Sequence, residues 1–434
     1  MRTTIWFVLA AASVPACKWT EFDDLDNQTW VSSTKKPNVK SSDYGVAIQR
    51  GDNGTESASG GTLAVIGAGP GTYSELAYSP TGASILKAGS LTLADQGITS
   101  LDASPFLLAS PESAEIALIT TGDPGSIAVA TGTHTLKARP LLVNNTSLGS
   151  TVTIASTPDA ATYMFRGTVA GPPLAEPLVA AGDIVLGVAS DLPASAKQPA
   201  CKLVDDTTPT PIQIRALGAV SHGLTDDVLV WNGGDGKLYL YNGSVFNGCT
   251  TQSQSAAADV ADVVTPAFMP GHGSQILTIS RDRVLLAGHQ DIAKGSDSLL
   301  QVYQVIYDDA GNLKPMLLPV GYPVTTEGLR TAAVLDTGDA TYVIAGYPTA
   351  IVDGKTAGQV LVFRISDSGL ETTPVATFHD AQPENNQSFG RAVAVMPFQG
   401  KQVIAVAADN EIFVYFRAQL GDGTSLYDDT RQGR

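Results

Sequence analysis

Basic residues are scarce in this 434-residue chain, with 26 Lys and Arg against 42 Asp and Glu, for a formal net charge of −16. Neutralising phosphates needs a surplus of cations, so nucleic acid is excluded as a partner. The same deficit disfavours adhesion to anionic membrane surfaces. Charged residues of both signs make up only 16% of the chain, too few for long solvated helices. No run approaches the ~20 apolar residues of a membrane-spanning helix without a Gly, Pro or charge interrupting it. Also missing are a Gly-x-Ser-x-Gly nucleophile elbow and a Gly-x-x-x-x-Gly-Lys-Ser/Thr phosphate loop. The five histidines, His134, His222, His272, His289 and His379, lie too far apart for a local His-x-x-x-His zinc arrangement. What is abundant is apolar residues at 43%, with 43 Gly and 25 Pro, the composition of many short strands joined by turns.

The first residues read as a targeting segment. Arg2 supplies a positive start, Ile5 to Ala12 form a short apolar run, and small residues precede Cys17. Eight apolar residues suit a secretory signal and fall short of a span. Val14-Pro15-Ala16-Cys17 resembles the lipobox of bacterial lipoproteins, which implies a lipid on Cys17 after removal of 1–16. Val14-x-Ala16 also satisfies the small-residue rule of the ordinary signal peptidase, so cleavage without lipid stays open. By the same resemblance, Lys18 beside the cysteine does not favour inner-membrane retention, and the expected address is the outer membrane or cell surface, with a periplasmic or secreted protein as the alternative.

Cysteine parity bears on this reading. Cys17, Cys201 and Cys249 are an odd number, and lipid on Cys17 leaves one pair. A Cys201–Cys249 disulfide closes a loop of about 49 residues and contributes ~4 kcal/mol on the chain-entropy model. The alternative is two buried free thiols. Residues 17–42 are polar and read as a linker or tether, with Lys35, Lys36 and Lys40 available to lipid headgroups if Cys17 is lipidated, and with Thr29 to Ser33 able to pair as an edge strand. Residues 417–434 are a polar C-terminal tail.

Between these lies a repetitive region, 43–416. Near its end, Phe389-Gly390-Arg391-Ala392-Val393-Ala394-Val395 is followed by Val403 to Ala408 and Ile412 to Phe416, three β-rich runs separated by turn residues. The preceding unit has the same order, from Gly328-Leu329-Arg330-Thr331-Ala332-Ala333-Val334 through Tyr342 to Pro348 and on to Gly358 to Phe363. Near the start, Tyr44-Gly45-Val46-Ala47-Ile48 precedes Leu63 to Pro70. Weaker copies lie between. Gly67, Gly122, Gly187, Gly233, Gly288, Gly346 and Ala407, taken as equivalent points, recur 46 to 65 residues apart, as repeats with variable surface loops should. Gly67, Gly346 and Gly390 fall where a strand meets a turn and where close backbone approach is expected.

This grammar resembles the FG-GAP repeat of integrin-α-type β-propellers, with an aromatic-Gly opening at Tyr44-Gly45 and Phe389-Gly390, middle signatures at Gly67-Ala68-Gly69-Pro70 and Gly346-Tyr347-Pro348, and a closing strand from Gly358 to Phe363. The resemblance implies an all-β chain folded as a single β-propeller of about seven four-stranded blades. Many such blades hold Ca²⁺ on an Asp-rich loop, since the ion wants six to eight hard oxygens. Here the best candidate ligands are Asp52, Asn53 and Glu56, in a loop lacking the alternating Asp-x-Asp-x-Asp-Gly run, and no other cofactor is implied. Arg50-Gly51-Asp52 spells a tripeptide that some integrins recognise and reads as a turn. Asp308-Asp309-Ala310-Gly311-Asn312 reads as a hairpin tip rather than an acid/base pair. Tyr239, Tyr241, Phe246 and Trp231 either form an outward sugar- or peptide-binding platform or pack between blades; the period-two spacing of Tyr239 and Tyr241 favours packing.

The expected function is non-catalytic binding of a protein or glycan at the cell envelope by a monomer that meets the membrane only through Cys17. The alternatives are a propeller-type hydrolase or quinone-dependent dehydrogenase with a discontinuous channel site, and a structural subunit of an envelope assembly. For the cysteines, alkylation of the unfolded, non-reduced protein is expected to leave Cys201 and Cys249 unmodified in the mass spectrum; two alkylated thiols there would remove the disulfide.

Overall fold

The computed structural model describes thirteen strands within residues 31–204. From 212 to 416 it describes the chain, apart from 223–224, 242–253, 258–259, 264–267, 272, 291–296, 308–314, 339, 381, 399–400 and 410. The described residues are all-β, in several antiparallel sheets, and contain no helix.

The strands fall into sheets in chain order. The first strand, β1 (Val31–Lys35), joins the last sheet. The first sheet runs β2 (Ala47–Arg50), β3 (Gly61–Ile66), β4 (Thr72–Ser79), β5 (Gly82–Ser90), and the second runs β6 (Phe106–Ala109), β7 (Ala114–Thr121), β8 (His134–Leu142), β9 (Val152–Thr157). The third is β10 (Ala161–Met164), β11 (Leu178–Ala181), β12 (Ile184–Gly187), β13 (Ala200–Val204). Its β13 also pairs in parallel with β17 (Gln254–Ala257). The fourth is β14 (Ile214–His222), β15 (Thr225–Asn232), β16 (Lys237–Tyr241), β18 (Val260–Val263), and the fifth is β19 (Gln275–Thr278), β20 (Arg283–His289), β21 (Asp297–Ile306), β22 (Met316–Glu327). In the sixth, β23 (Thr331–Asp336) pairs β24 (Thr341–Tyr347), which pairs β27 (Gln359–Ser366). A separate hairpin of β25 (Ile351–Val352) and β26 (Lys355–Thr356) interrupts the chain between β24 and β27, and the far edge of β27 is shared by β28 (Gly369–Leu370) and β29 (Ala376–Phe378). The seventh is β30 (Ala392–Phe398), β31 (Lys401–Ala407), β32 (Glu411–Phe416) and then β1, whose Val31 lies opposite Tyr415 and Lys35 opposite Glu411. The strand β1 thus lies inside the segment read from sequence as a linker.

First strands of successive sheets touch. β2 lies against β6 and β30, β14 against β10 and β19, and β23 against β19 and β30. Apolar side chains fill the space between sheets, and strand periodicity divides them. On β20, Val284 and Leu286 enter the layer shared with the fourth sheet, while Leu285 and Ala287 enter the layer shared with the sixth. On β24, Val343 and Ala345 face the fifth sheet and Tyr342 and Ile344 the seventh. Successive residues of a strand point to opposite faces, so an unbroken apolar run such as Val284-Leu285-Leu286-Ala287 marks a sheet covered on both sides.

Close approach of these layers requires small residues at defined places. Trp231, fully buried, packs 5.7 Å from Phe268 between ring centroids and lies on Gly288 of the fifth sheet, where a Cβ would run into its indole. A Cβ on Gly346 would run into the Gly390 carbonyl oxygen, and Gly390 itself has φ +86°. The sequence expectation for Gly346 and Gly390 is therefore met by backbone contact between the sixth and seventh sheets; Gly67 lies outside the described residues. Phe389, fully buried, fills the same junction and stacks 5.3 Å from Phe413.

Gly346→Ala is expected to destabilise by about 3 kcal/mol, since backbone must move to admit the methyl. Gly354→Ala, with open space around it and φ +75°, should cost only about 1 kcal/mol of backbone strain. Urea denaturation of the two variants checks the contrast, and equal losses would remove the close-approach argument.

Candidate functional site at the starts of the first strands

The second strand of each sheet returns antiparallel to the first, so its last residues abut the first strand's start: Asn232 opposite Ile214, Ala287 opposite Gln275, Gly346 opposite Thr331 and Ala407 opposite Ala392. Neighbouring sheets present the same end together. Gln275 Oε1, at the start of β19, accepts a hydrogen bond from the Ala332 amide at the start of β23 at 2.7 Å. Thr278 Oγ1, at the far end of β19, donates to the Ala219 carbonyl near the far end of β14 at 3.1 Å. One end of the fourth to seventh sheets therefore gathers the chain entering each first strand and the turn leaving each second strand.

Arginine recurs there. Arg215 is the extra residue in a β-bulge between Ile214 and Ala216. Its side chain lies across Gly233, where a Cβ would come 2.6 Å from Cγ. Arg330 and Arg391 immediately precede β23 and β30, and their amides donate to the Gly346 and Ala407 carbonyls at 2.9 and 3.2 Å.

The turn of the fourth sheet is held by Asn232 and Asp235. Asn232 Oδ1 accepts from the Gln213 amide at 2.9 Å and the Gly234 amide at 3.0 Å. Asp235 Oδ1 accepts from Asn232 Nδ2 at 2.7 Å and the Lys237 amide at 3.0 Å, and Oδ2 accepts from the Tyr239 hydroxyl at 2.7 Å. A carboxylate meeting three donors is satisfied as an acceptor. In the fifth sheet the His289 carbonyl accepts from the Gly271 amide at 2.6 Å and Ser274 Oγ at 3.3 Å. His289 Nε2 lies 3.4 Å from Arg330 Nη1 and Nδ1 lies 3.3 Å from the Gln290 carbonyl. A guanidinium can only donate, so this geometry suits the tautomer with the proton on Nδ1.

At the seventh sheet, Arg391 Nη1 lies 3.6 Å from Asp409 Oδ1. Burial raises the Asp409 pKa above its ordinary value, outweighing the Ser388 hydrogen bond and the Arg391 charge. The Asp409 amide donates to the Gln387 carbonyl at 2.8 Å, and Gln387 Nε2 donates to Asp380 Oδ2. Tyr347, at the end of β24, accepts from Thr326 Oγ1 at 3.1 Å, and burial pushes its phenol up to about 12.

Of the residues singled out from sequence, Cys17, Asp52, Asn53, Glu56, Phe246 and Cys249 lie outside the described residues. Cys201 is on β13, opposite Val185 on one side and Gln254 on the other. Trp231, Tyr239 and Tyr241 are buried, so the packing alternative holds for them and the outward platform does not. Asp336 to Ala340 forms a turn in which Asp336 Oδ1 accepts from the Gly338 amide at 2.9 Å. No group of three His, Cys, Asp or Glu among the described residues could hold a metal. Sequence reasoning missed the bridges from Arg330 to His289 and from Arg391 to Asp409. The signal was the repeated Arg ahead of a strand-opening Ala, in Arg215-Ala216, Arg330-Thr331-Ala332 and Arg391-Ala392.

Among known proteins, no family model and no curated protein matches the chain.

The raised pKa of Asp409 has a sign that stability measurements can read. Its folded pKa lies above the ordinary value of 3.8, so the folded protein holds this proton more tightly than the unfolded chain does. The contribution of this group to stability is greatest below 3.8 and is lost as pH rises through the folded pKa. Asp409→Asn should therefore gain stability relative to the parent as pH rises across that window, measured from urea midpoints; a gap constant with pH would count against a raised pKa.

Proposed function

We propose that the seven sheets close into one FG-GAP-like β-propeller, exported and anchored by lipid on Cys17, which binds a protein or glycan at the cell envelope without catalysis. The observation that carries the fold reading is the pairing of β1 with β32. A ring must join its first and last blades, and this pairing completes the four-stranded seventh sheet with the N-terminal strand. The contact of β2 with β30 supports the same closure. The seven points taken as equivalent in the sequence also agree with it, since each lies at or next to the end of a second strand.

Binding is supported by the work the polar groups perform. At the starts of the first strands, Asn232, Asp235, Gln275, Ser274 and Gln387 hold backbone or neighbouring side chains in place. They fix turns from several sheets on one surface, which suits a rigid platform for ligand-binding loops.

Two measurements test this reading. A clickable fatty acid fed to the producing cells should label the full-length protein and not its Cys17→Ala variant; an unlabelled parent overturns the anchor. A photo-crosslinking amino acid at Glu384 should give one stoichiometric adduct in intact envelopes, lost when Ile351–Thr356 is replaced by a short glycine turn. Substrate turnover by the purified protein, lost in Arg330→Ala, would overturn the non-catalytic reading.

A further inference from the structure

Strand polarity fixes where the link from Cys17 meets the sheets. Glu411 opens β32 next to the turn after β31, and the Ala408 amide donates to its carbonyl at 2.8 Å. Ala407 lies opposite Ala392, at the start of β30. Glu411 is therefore at the same end as Arg391 and Asp409. Because β1 runs antiparallel to β32, Lys35 lies beside Glu411 at that end, and Val31 lies beside Tyr415 toward the other. The link from Cys17 thus reaches the body from the end opposite the candidate site. Lys35 belongs to the site end, which turns it away from the headgroups that the tether reading offered it.

The site end also carries the parts that project beyond the strands. The hairpin Ile351–Thr356 lies between the end of β24 and the start of β27, and its Ile351 is 71% exposed. It is braced by the loop before β30: Lys355 Nζ donates to the Pro383 carbonyl at 2.6 Å, and the Asn386 amide donates to the Thr356 carbonyl at 2.8 Å. Three non-glycine residues hold positive φ in this region, Asp353 at 49°, Asn386 at 62° and Ser388 at 55°. Such conformations persist only where surrounding bonds enforce them.

We infer that the anchored protein stands with the end carrying Val31 toward the bilayer and presents the hairpin Ile351–Thr356 and the loop 382–388 to the aqueous phase, for a partner that is not a lipid. This rests on the reading of Cys17 as the lipid site. Fourteen residue steps separate Cys17 from Val31, at most about 48 Å of chain. A first strand of nine residues such as β14 spans about 30 Å. Turning the site end to the membrane would stretch the link along the height of the sheets and use most of its reach, at a cost in chain entropy. Docking the Val31 end leaves the link slack.

Energy transfer in proteoliposomes tests the orientation. A genetically encoded fluorescent amino acid is placed in the full-length lipidated chain at Glu384, exposed at the site end, or at Asp367, exposed in the turn after β27 at the opposite end. The vesicles contain phosphatidylethanolamine, phosphatidylglycerol and a headgroup-labelled acceptor. Transfer from position 367 should exceed transfer from position 384 several-fold. Equal or reversed transfer, with protein floating with the vesicles, overturns the orientation and leaves the anchor standing. Protein that fails to float with the vesicles overturns the anchor and the orientation together.

Discussion

The structure depends on burying both faces of each sheet. An isolated four-stranded antiparallel sheet can leave one face in water, and its strands then alternate apolar and polar residues. In the fifth and sixth sheets, alternate residues of one strand belong to different apolar layers, Val284 to one and Leu285 to the next. No such sheet can be stable alone, because each has two faces to cover. Every sheet is the core of its neighbours, and a defect such as a side chain added at Gly346 acts on the sixth and seventh sheets together.

That constraint also explains what was legible in the sequence. Runs such as Tyr342-Val343-Ile344-Ala345 and Ile404-Ala405-Val406-Ala407 are apolar on consecutive residues because both faces are covered, and they mark second strands of successive sheets. The recurring small residue at the end of these runs is legible for a related reason. Gly288 and Gly346 sit where a neighbouring sheet comes closest, against Trp231 and Gly390. The strand β1 was less legible, since Val31 to Lys35 is polar and its place is set by a partner at the other end of the chain. Its pairing could be guessed and its partner could not.

The candidate site was harder to read, and the reason is its assembly from residues far apart. Arg330 meets His289 across two sheets, and Gln275 meets Ala332 in the same way. Neither pair has a fixed spacing that a local motif would show. The acid at position 409 looked like part of a two-residue turn, yet its carboxyl is half-buried beside Arg391 and Ser388. Whether an acid in a turn is solvated depends on the loop that covers it, here the chain through Gln387, which belongs to the connection between sheets. The aromatic cluster was legible in the opposite sense: Tyr239 and Tyr241 share a strand face, and that face is interior.

The pairing of β1 with β32 has a consequence for how the chain folds. Most sheets can form from strands close together in sequence, and such local contacts form early because their loop-closure cost is small. The seventh sheet needs residues near both ends of the chain, with Lys35 beside Glu411. Its last pairing must come after nearly the whole chain is available, so an exported chain emerging N-terminus first would carry β1 through translocation without its partner. The unpaired edges of β1 and of the sheet it will join stay open to other strands for that interval. Polarity in Ser32, Ser33, Thr34 and Lys35 then has a use that the finished structure does not reveal: it keeps the waiting strand from pairing with the wrong edge.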